Sequence, residues 1–361
     1  MRLKFSMVLL LTLGLCTSAL AAPITVTDLA GRKVTVPAHP ARIVCVGPGA
    51  LRLIVYLEAQ DTVVGIESME KRYAAGRPYW LAQPQLKTLP VIGPGGPGAI
   101  NKKPDMEAML HVAPDLIFAT YMDAVLADEV ADTLGIPVVV LSYGELAVFD
   151  TRVYDSLKLA GKILGREART DAVIDFIEAL RTDLHRRTVA VLDGERPGVF
   201  VGGIGHRGTH GIESTQRDYI PLDWNHAVNV AQQVKATIGS HVMVDKETLL
   251  GLDPEVIFID DGGLALVAED YRKKPDFYDA LKAFRQKKVF TLLPFNFYTT
   301  NIGTAMADAY AIGKTIYPSR FVDVDLAVKA DEIYTFLVGK PVYSAMQAEY
   351  GRLGQVAPFL E

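Results

Sequence analysis

Apolar residues in this chain fall into two patterns. Short runs such as Ile43–Val46, Leu116–Ala119, Val138–Leu141, Val199–Val201 and Val256–Phe258 are continuous and bounded by Gly, Pro or acidic residues. Between them, apolar positions recur at helical spacing, as in Ala50–Leu57 and Asp123–Leu134, the latter stopped by Gly135. Continuous runs of this length predict buried strands, and strands alternating with helices predict a parallel α/β sheet. The opening segment differs. Ile24–Val36 alternates apolar and polar around Asp28–Arg32, which predicts a hairpin with a Gly31 turn. Ala227–Val234 reads as an amphipathic stretch, and Ala305–Ile316 and Ala327–Leu337 as terminal helices.

One unit occurs twice. Asp105-Met106-Glu107 leads through Leu110 to Pro114-Asp115-Leu116-Ile117-Phe118, and Asp245-Lys246-Glu247 leads through Leu250 to Pro254-Glu255-Val256-Ile257-Phe258. Each Asp can cap a short helix whose first turn holds the Glu, where the helix dipole favours negative charge. Each Pro ends the helix, and the apolar run after it is a buried strand. The copies lie about 140 residues apart, as expected of one α/β lobe built twice. Between the halves, residues 151–188 carry Leu157, Ala160, Ile163, Leu164, Val173, Ile177, Leu180 and Leu184 at helical spacing. An unbroken helix of that length would span about 50 Å. That is too long for a crossover within one lobe, so it reads as one long connecting helix, with a break near Gly165.

Composition narrows the class. With 361 residues the chain can build two cores, and 50% hydrophobic with 22% charged residues is globular rather than disordered. A net charge of −5 argues against a nucleic-acid partner. Residues 1–21 read as a secretory signal peptide: Arg2 and Lys4, then the apolar run Phe5–Leu15, then a small-residue cleavage site ending at Ala21. Cys16 leaves lipid anchoring open, although Leu15 precedes it where a lipid-attachment box wants a small residue. After cleavage only Cys45 remains, inside an apolar run, so no intrachain disulfide is expected.

The pattern from Thr25 to Val44, the paired Asp-x-Glu repeats, Leu134-Gly135-Ile136-Pro137-Val138-Val139 and the helical connector together resemble one family. It is that of the periplasmic substrate-binding proteins of ABC importers for iron–siderophore complexes, haem and cobalamin. The resemblance covers essentially the whole mature chain. It implies two Rossmann-like lobes with parallel sheets, residues 22–150 and 189–361, joined by the connector and holding a ligand in the cleft between them. It implies a monomer in the periplasm, no enzymatic activity and no cofactor beyond a metal chelated within the cargo. It also implies that Glu107 and Glu247 dock onto an ABC permease dimer at the membrane; a purely local helix-end role is the alternative.

Ligands of open α/β sheets sit beyond the carboxyl ends of the strands. That rule selects Arg52 after the first buried strand, Tyr121 after Leu116–Ala119, and Tyr298 after the last strand as donors or stacking rings. It also selects His206, Arg207 and His210 in a Gly-rich loop, read as donors to an anionic ligand. Gly203, Gly205 and Gly208 formally make a dinucleotide fingerprint, but Thr209-His210-Gly211 stands where a helix should open. Direct metal ligation by His206 and His210 stays an alternative, with no metal site assigned. Asp260 and Asp261 also end a strand; repelling an anion, ordering a loop and binding a cationic group all remain open. No G-x-S-x-G elbow is present to support a hydrolase. A small-molecule metal complex of the iron–siderophore type is the leading cargo. Cobalamin, haem and an oxyanion such as molybdate are the alternatives, and a surface receptor is the rival class.

Overall fold

The computed structural model describes residues 22–361 except 73–75, 145–148, 207 and 236–239. The expected leader, 1–21 with Cys16, lies outside the described residues, as does Arg207. The chain opens with the expected hairpin, β1 (Ile24–Thr27) against β2 (Lys33–Val36), antiparallel. Asp28 organises its turn, accepting from Ala30 N and Arg32 N and pairing with the Arg32 guanidinium.

The first lobe is a parallel sheet of β3 (Ile43–Val46), β4 (Val63–Gly65), β5 (Leu116–Thr120) and β6 (Val138–Leu141), in the order β4-β3-β5-β6. The second contains β7 (Gly198–Gly202), β8 (Ser214–Gln216), β9 (Val228–Asn229), β10 (His241–Met243), β11 (Val256–Asp260) and β12 (Val289–Leu292). Its main sheet is β12-β11-β7-β9, all parallel, while β8 and β10 form a separate antiparallel pair. The fold is thus two α/β lobes with separate parallel sheets.

The repeat explains itself locally. Asp105 accepts from Ala108 N at 3.0 Å and Asp245 from Thr248 N at 2.6 Å, starting the Met106–Val112 and Lys246–Leu252 helices. Each helix ends on a left-handed residue, Ala113 (φ 42°) and Asp253 (φ 34°), followed by proline. The next strands, β5 and β11, are buried throughout. They hold matching places in their sheets, each flanked on both sides by parallel neighbours.

The connector is two helices rather than one. Arg152–Leu164 ends at Gly165 (φ 65°), and Glu167–Thr188 follows. A side chain at Gly165 would collide with the His39 ring, so the break is held by packing as well as by backbone freedom. The longer helix, of 22 residues, spans about 33 Å. The amphipathic stretch Ala227–Val234 forms β9 followed by a turn of 3-10 helix.

Among the described residues, three apolar clusters hold the fold. One lies on one face of the first sheet around Val44, Met109 and Ile117, and one on the second sheet around Phe200, Leu249 and Ile257. The largest is shared: it runs from Ile43, Leu53 and Trp80 through Ile177 to Phe258, Met306, Tyr310 and Leu337. The Leu326–Val338 helix therefore returns to the first lobe, where Gln83 Nε2 donates to Val338 O at 2.7 Å. Cys45 is buried, as expected, and burial pushes its thiol pKa up. Among the described residues no helix is long and apolar enough to cross a membrane.

Candidate ligand cleft

The carboxyl edge of the first sheet is built from loops that need glycine. After β3 come Gly47 (φ 87°) and Gly49 (φ 81°). A Cβ on Gly47 would lie 2.5 Å from Thr120 O, and one on Gly49 2.5 Å from Thr299 Cγ2 and 2.7 Å from the Tyr143 ring. The second contact crosses between lobes. After β12, residues 294–301 form a strap laid over the edge of the first sheet. Tyr298 (φ 54°) and Thr299 (φ 63°) are consecutive left-handed residues with side chains, a conformation that persists only where surroundings enforce it.

Arg52 supplies much of that enforcement. Its side chain is fully buried, and its guanidinium donates to Thr300 O at 2.7 Å and to Phe297 O and Tyr298 O at 3.0 Å each. It also lies 5.2 Å from the Tyr79 ring centroid. Arg52 is therefore not the open cleft donor expected from sequence; burial and the strap carbonyls give it a structural task. Tyr121, itself left-handed (φ 55°), shares a hydrogen bond of 2.8 Å with Thr299 Oγ1. The Tyr298 hydroxyl donates to Glu67 and accepts from Gly96 N at 3.1 Å. Glu67 also accepts from Gly47 N at 3.1 Å. Burial pushes the Glu67 carboxyl up to about 7, opposed by the bonds from Tyr298 and Gly47. Beside it, Glu70 is raised by burial and held by Arg77 and by the Tyr79 hydroxyl at 2.8 Å. Arg77 sits over Trp80 and Phe297, 5.7 Å from each ring centroid.

The edge of the second sheet is acidic and histidine-rich. Asp260 ends β11 and Asp261 opens the turn after it, and Asp308 lies near them on the Ile302–Ile316 helix; all three are buried. Burial lifts Asp260 to about 7; burial and then Asp260 lift Asp261 to about 9. In the loop after β7, His206 stacks on His241 with centroids 4.3 Å apart, and His210 Nε2 bonds His206 O at 2.8 Å. His241 Nε2 meets Ser214 Oγ at 2.8 Å. Burial, then His206 and His210, push His241 down to about 4. Among the described residues no group of three His, Cys, Asp or Glu is placed to hold a metal ion.

The structure thus brings Arg52, Tyr121 and Tyr298 together through the strap, and His206 and His210 together in a different loop. Arg207 lies outside the described residues. Glu107 and Glu247 are exposed at equivalent places on opposite lobes. Sequence reasoning passed over Glu67, Arg77, Tyr143 and Asp308, and weighed His241 only as a possible further metal ligand. An acid two residues after β4 was a usable signal for Glu67; a lone acid inside an apolar helix gave none for Asp308.

Two parallel sheets whose carboxyl edges meet through loops, tied by a helical connector, define a bilobed solute-binding protein. The chain belongs to the periplasmic binding protein family, whose model matches residues 43–293. It is 28% identical over 356 residues to the molybdate-binding protein MolA of Haemophilus influenzae, covering 92% of this chain and 96% of that protein. An uncharacterised ABC transporter substrate-binding lipoprotein of Bacillus subtilis, YvrC, is 22% identical over 83% of this chain and 87% of its own length. Among solved structures, molybdate-bound MolA superimposes with TM-score 0.68 at 24% identity, covering 88% of this chain and 98% of that one. A periplasmic solute-binding protein of Veillonella parvula gives TM-score 0.72 at 18% identity, covering 91% and 98%. The chain is a binding protein of that family and not an enzyme.

Proposed function

We propose that the cargo is a small metal complex of the iron–siderophore type. The observation carrying this reading is that donors on the first sheet's edge already have acceptors. Gly47 N–H serves Glu67, Gly96 N–H serves Tyr298, and Arg52 serves three strap carbonyls. A bare dianion needs several converging N–H donors with no other acceptor. What this edge brings together instead is aromatic rings, Tyr121, Tyr143 and Tyr298, which suit a bulky chelate. Tyr121 and Tyr298 would present rings, and His206, Arg207 and His210 would reach the chelate's anionic groups. Export by the 1–21 signal peptide would place the protein outside the cytoplasmic membrane. There Glu107 and Glu247 would meet basic residues of a permease dimer.

An oxyanion cargo is the second reading, favoured by the near full-length similarity to a molybdate-binding protein. Calorimetric titration with catecholate, hydroxamate and citrate ferric complexes, and with molybdate and tungstate, separates the two. Tight binding of a ferric complex but not of its iron-free chelator is the expected result. Tight molybdate or tungstate binding with no response to any chelate would overturn the proposal in favour of the second reading.

A further inference from the structure

Asp261 is not explained by any of the contacts described so far. Its residue is 9% exposed, yet both carboxylate oxygens lack a hydrogen-bond partner among the described residues. Nearby, Tyr219 Oη and Asp308 Oδ2 are also buried without partners among the described residues. Buried polar atoms normally find partners, so several together mark a place where something is missing.

Asp261 lines a cavity of about 350 Å³ on the second lobe. Its other walls include Leu264 and Ala268 on the Leu264–Lys273 helix, Glu349 and Tyr350 at the end of the Tyr343–Tyr350 helix, and Phe359 near the C-terminus. The lining is apolar and aromatic, with acids at two points and no basic residue. A positive charge held between aromatic faces and a carboxylate gains from both, and more so where water is excluded. The volume lies within the range of small-ligand pockets.

We propose that this cavity binds a small organic ammonium ion, its charge on Asp261 and its carbon skeleton against Leu264, Ala268, Tyr350 and Phe359. The acid then has the role of meeting a cation rather than repelling an anion. Glu349 adds negative potential at the mouth. With the cavity empty, burial and Asp260 keep the Asp261 carboxyl up at about 9, so an arriving ammonium displaces a proton. This site does not depend on which cargo the cleft carries. The Tyr350 hydroxyl would lie 3.0 Å from a Cβ on Gly76 of the first lobe, so the cavity lies beside the interlobe boundary. The ammonium can therefore be a free amine or an amine carried by the cargo.

The test uses the full chain with choline and butylammonium as probes, and butanol and sodium chloride as controls. Calorimetry in two buffers of different ionisation enthalpy should show saturable binding of both ammonium probes with proton release, and none of the controls. Asp261→Asn should weaken the probes about tenfold or more, as loss of a charged hydrogen bond does. Ala268→Phe, which fills the cavity from a helix surface, should abolish binding with the fold retained by circular dichroism. Equal binding of butanol and butylammonium would overturn the proposal, as would unchanged affinity in either variant or no binding. If Asp261→Asn also weakens the cargo found by the chelate titrations, the amine belongs to the cargo; if cargo affinity stays constant, the cavity takes a separate amine.

Discussion

Replacing Arg52 by methionine should release the strap. Methionine keeps much of the length and volume but removes the charge and every donor. The guanidinium holds Thr300 O at 2.7 Å and Tyr298 O at 3.0 Å, and its third acceptor, Phe297 O, is shared with Asn301 Nδ2 at 3.0 Å. Hydrogen bonds from a charged donor contribute about 1.5–3 kcal/mol each, so two unshared bonds give about 3–5 kcal/mol once partial relaxation is allowed for. Two left-handed residues add to the effect. Tyr298 and Thr299 would be free to return to ordinary backbone regions, removing the geometry that brings Tyr298 to Glu67.

Urea denaturation of Arg52→Met should therefore show a loss of about 3–5 kcal/mol, a large share of the roughly 5–15 kcal/mol typical of a folded domain. Hydrogen exchange should quicken across residues 297–300 and not in β5 or β11. Arg52→Lys should recover only part of the loss, because an ammonium is a point charge without the planar fork that reaches several carbonyls. A stability within about 0.5 kcal/mol of the parent, with unchanged exchange in the strap, would refute the clamp.

Glu107→Ala combined with Glu247→Ala should abolish cargo uptake by cells and leave cargo affinity unchanged; full uptake would remove the docking role. Tyr298→Phe should cost about 1–3 kcal/mol in denaturation, since it strips a buried partner from both Glu67 and Gly96 N–H. The acidic interior should also make stability fall as pH rises. Burial lifts Glu67 from 4.5 to about 7, so the folded state keeps a proton that the unfolded chain has lost. That contribution is fully present below pH 4.5 and lost as pH rises through about 7, a span of roughly 3 kcal/mol for this residue. Asp260, lifted from 3.8 to about 7, acts in the same direction. Glu67→Gln should flatten the decline of melting temperature between pH 5 and 8, and an unchanged slope would dismiss Glu67 as its source.

Much of the scaffold could be read from residues close in sequence. Asp105 and Asp245 cap their helices through amides three residues on, and the prolines and buried strands follow within a dozen positions. Short-range physics of that kind leaves a pattern. The cleft depends on pairs that leave none. Arg52 meets carbonyls some 245 residues away, and what marks the strap is a backbone conformation at Tyr298 and Thr299 that neither side chain favours. The return of the Leu326–Val338 helix to the first lobe was equally silent, because an apolar helix face does not say which lobe will cover it.

That returning helix bears on how cargo enters. Two lobes that swing freely need separate cores, yet here Phe258 from the second sheet and Phe118 from the first belong to one buried cluster, with Met306, Tyr310 and Leu337 in it. Close-packed interiors do not deform continuously, so a large rotation would break those contacts together. Small shear is the movement such a core permits. Access must then come mainly from the loops, and among them the strap is anchored in the shared core by Phe295 but tied down at residues 297–300 by polar contacts. Arg52, Glu67 and Tyr121 each reach it with hydrogen bonds that a ligand's own polar groups can replace. Entry of cargo thus becomes an exchange of bonds at residues 297–300, with the connector and the common core as a fixed frame.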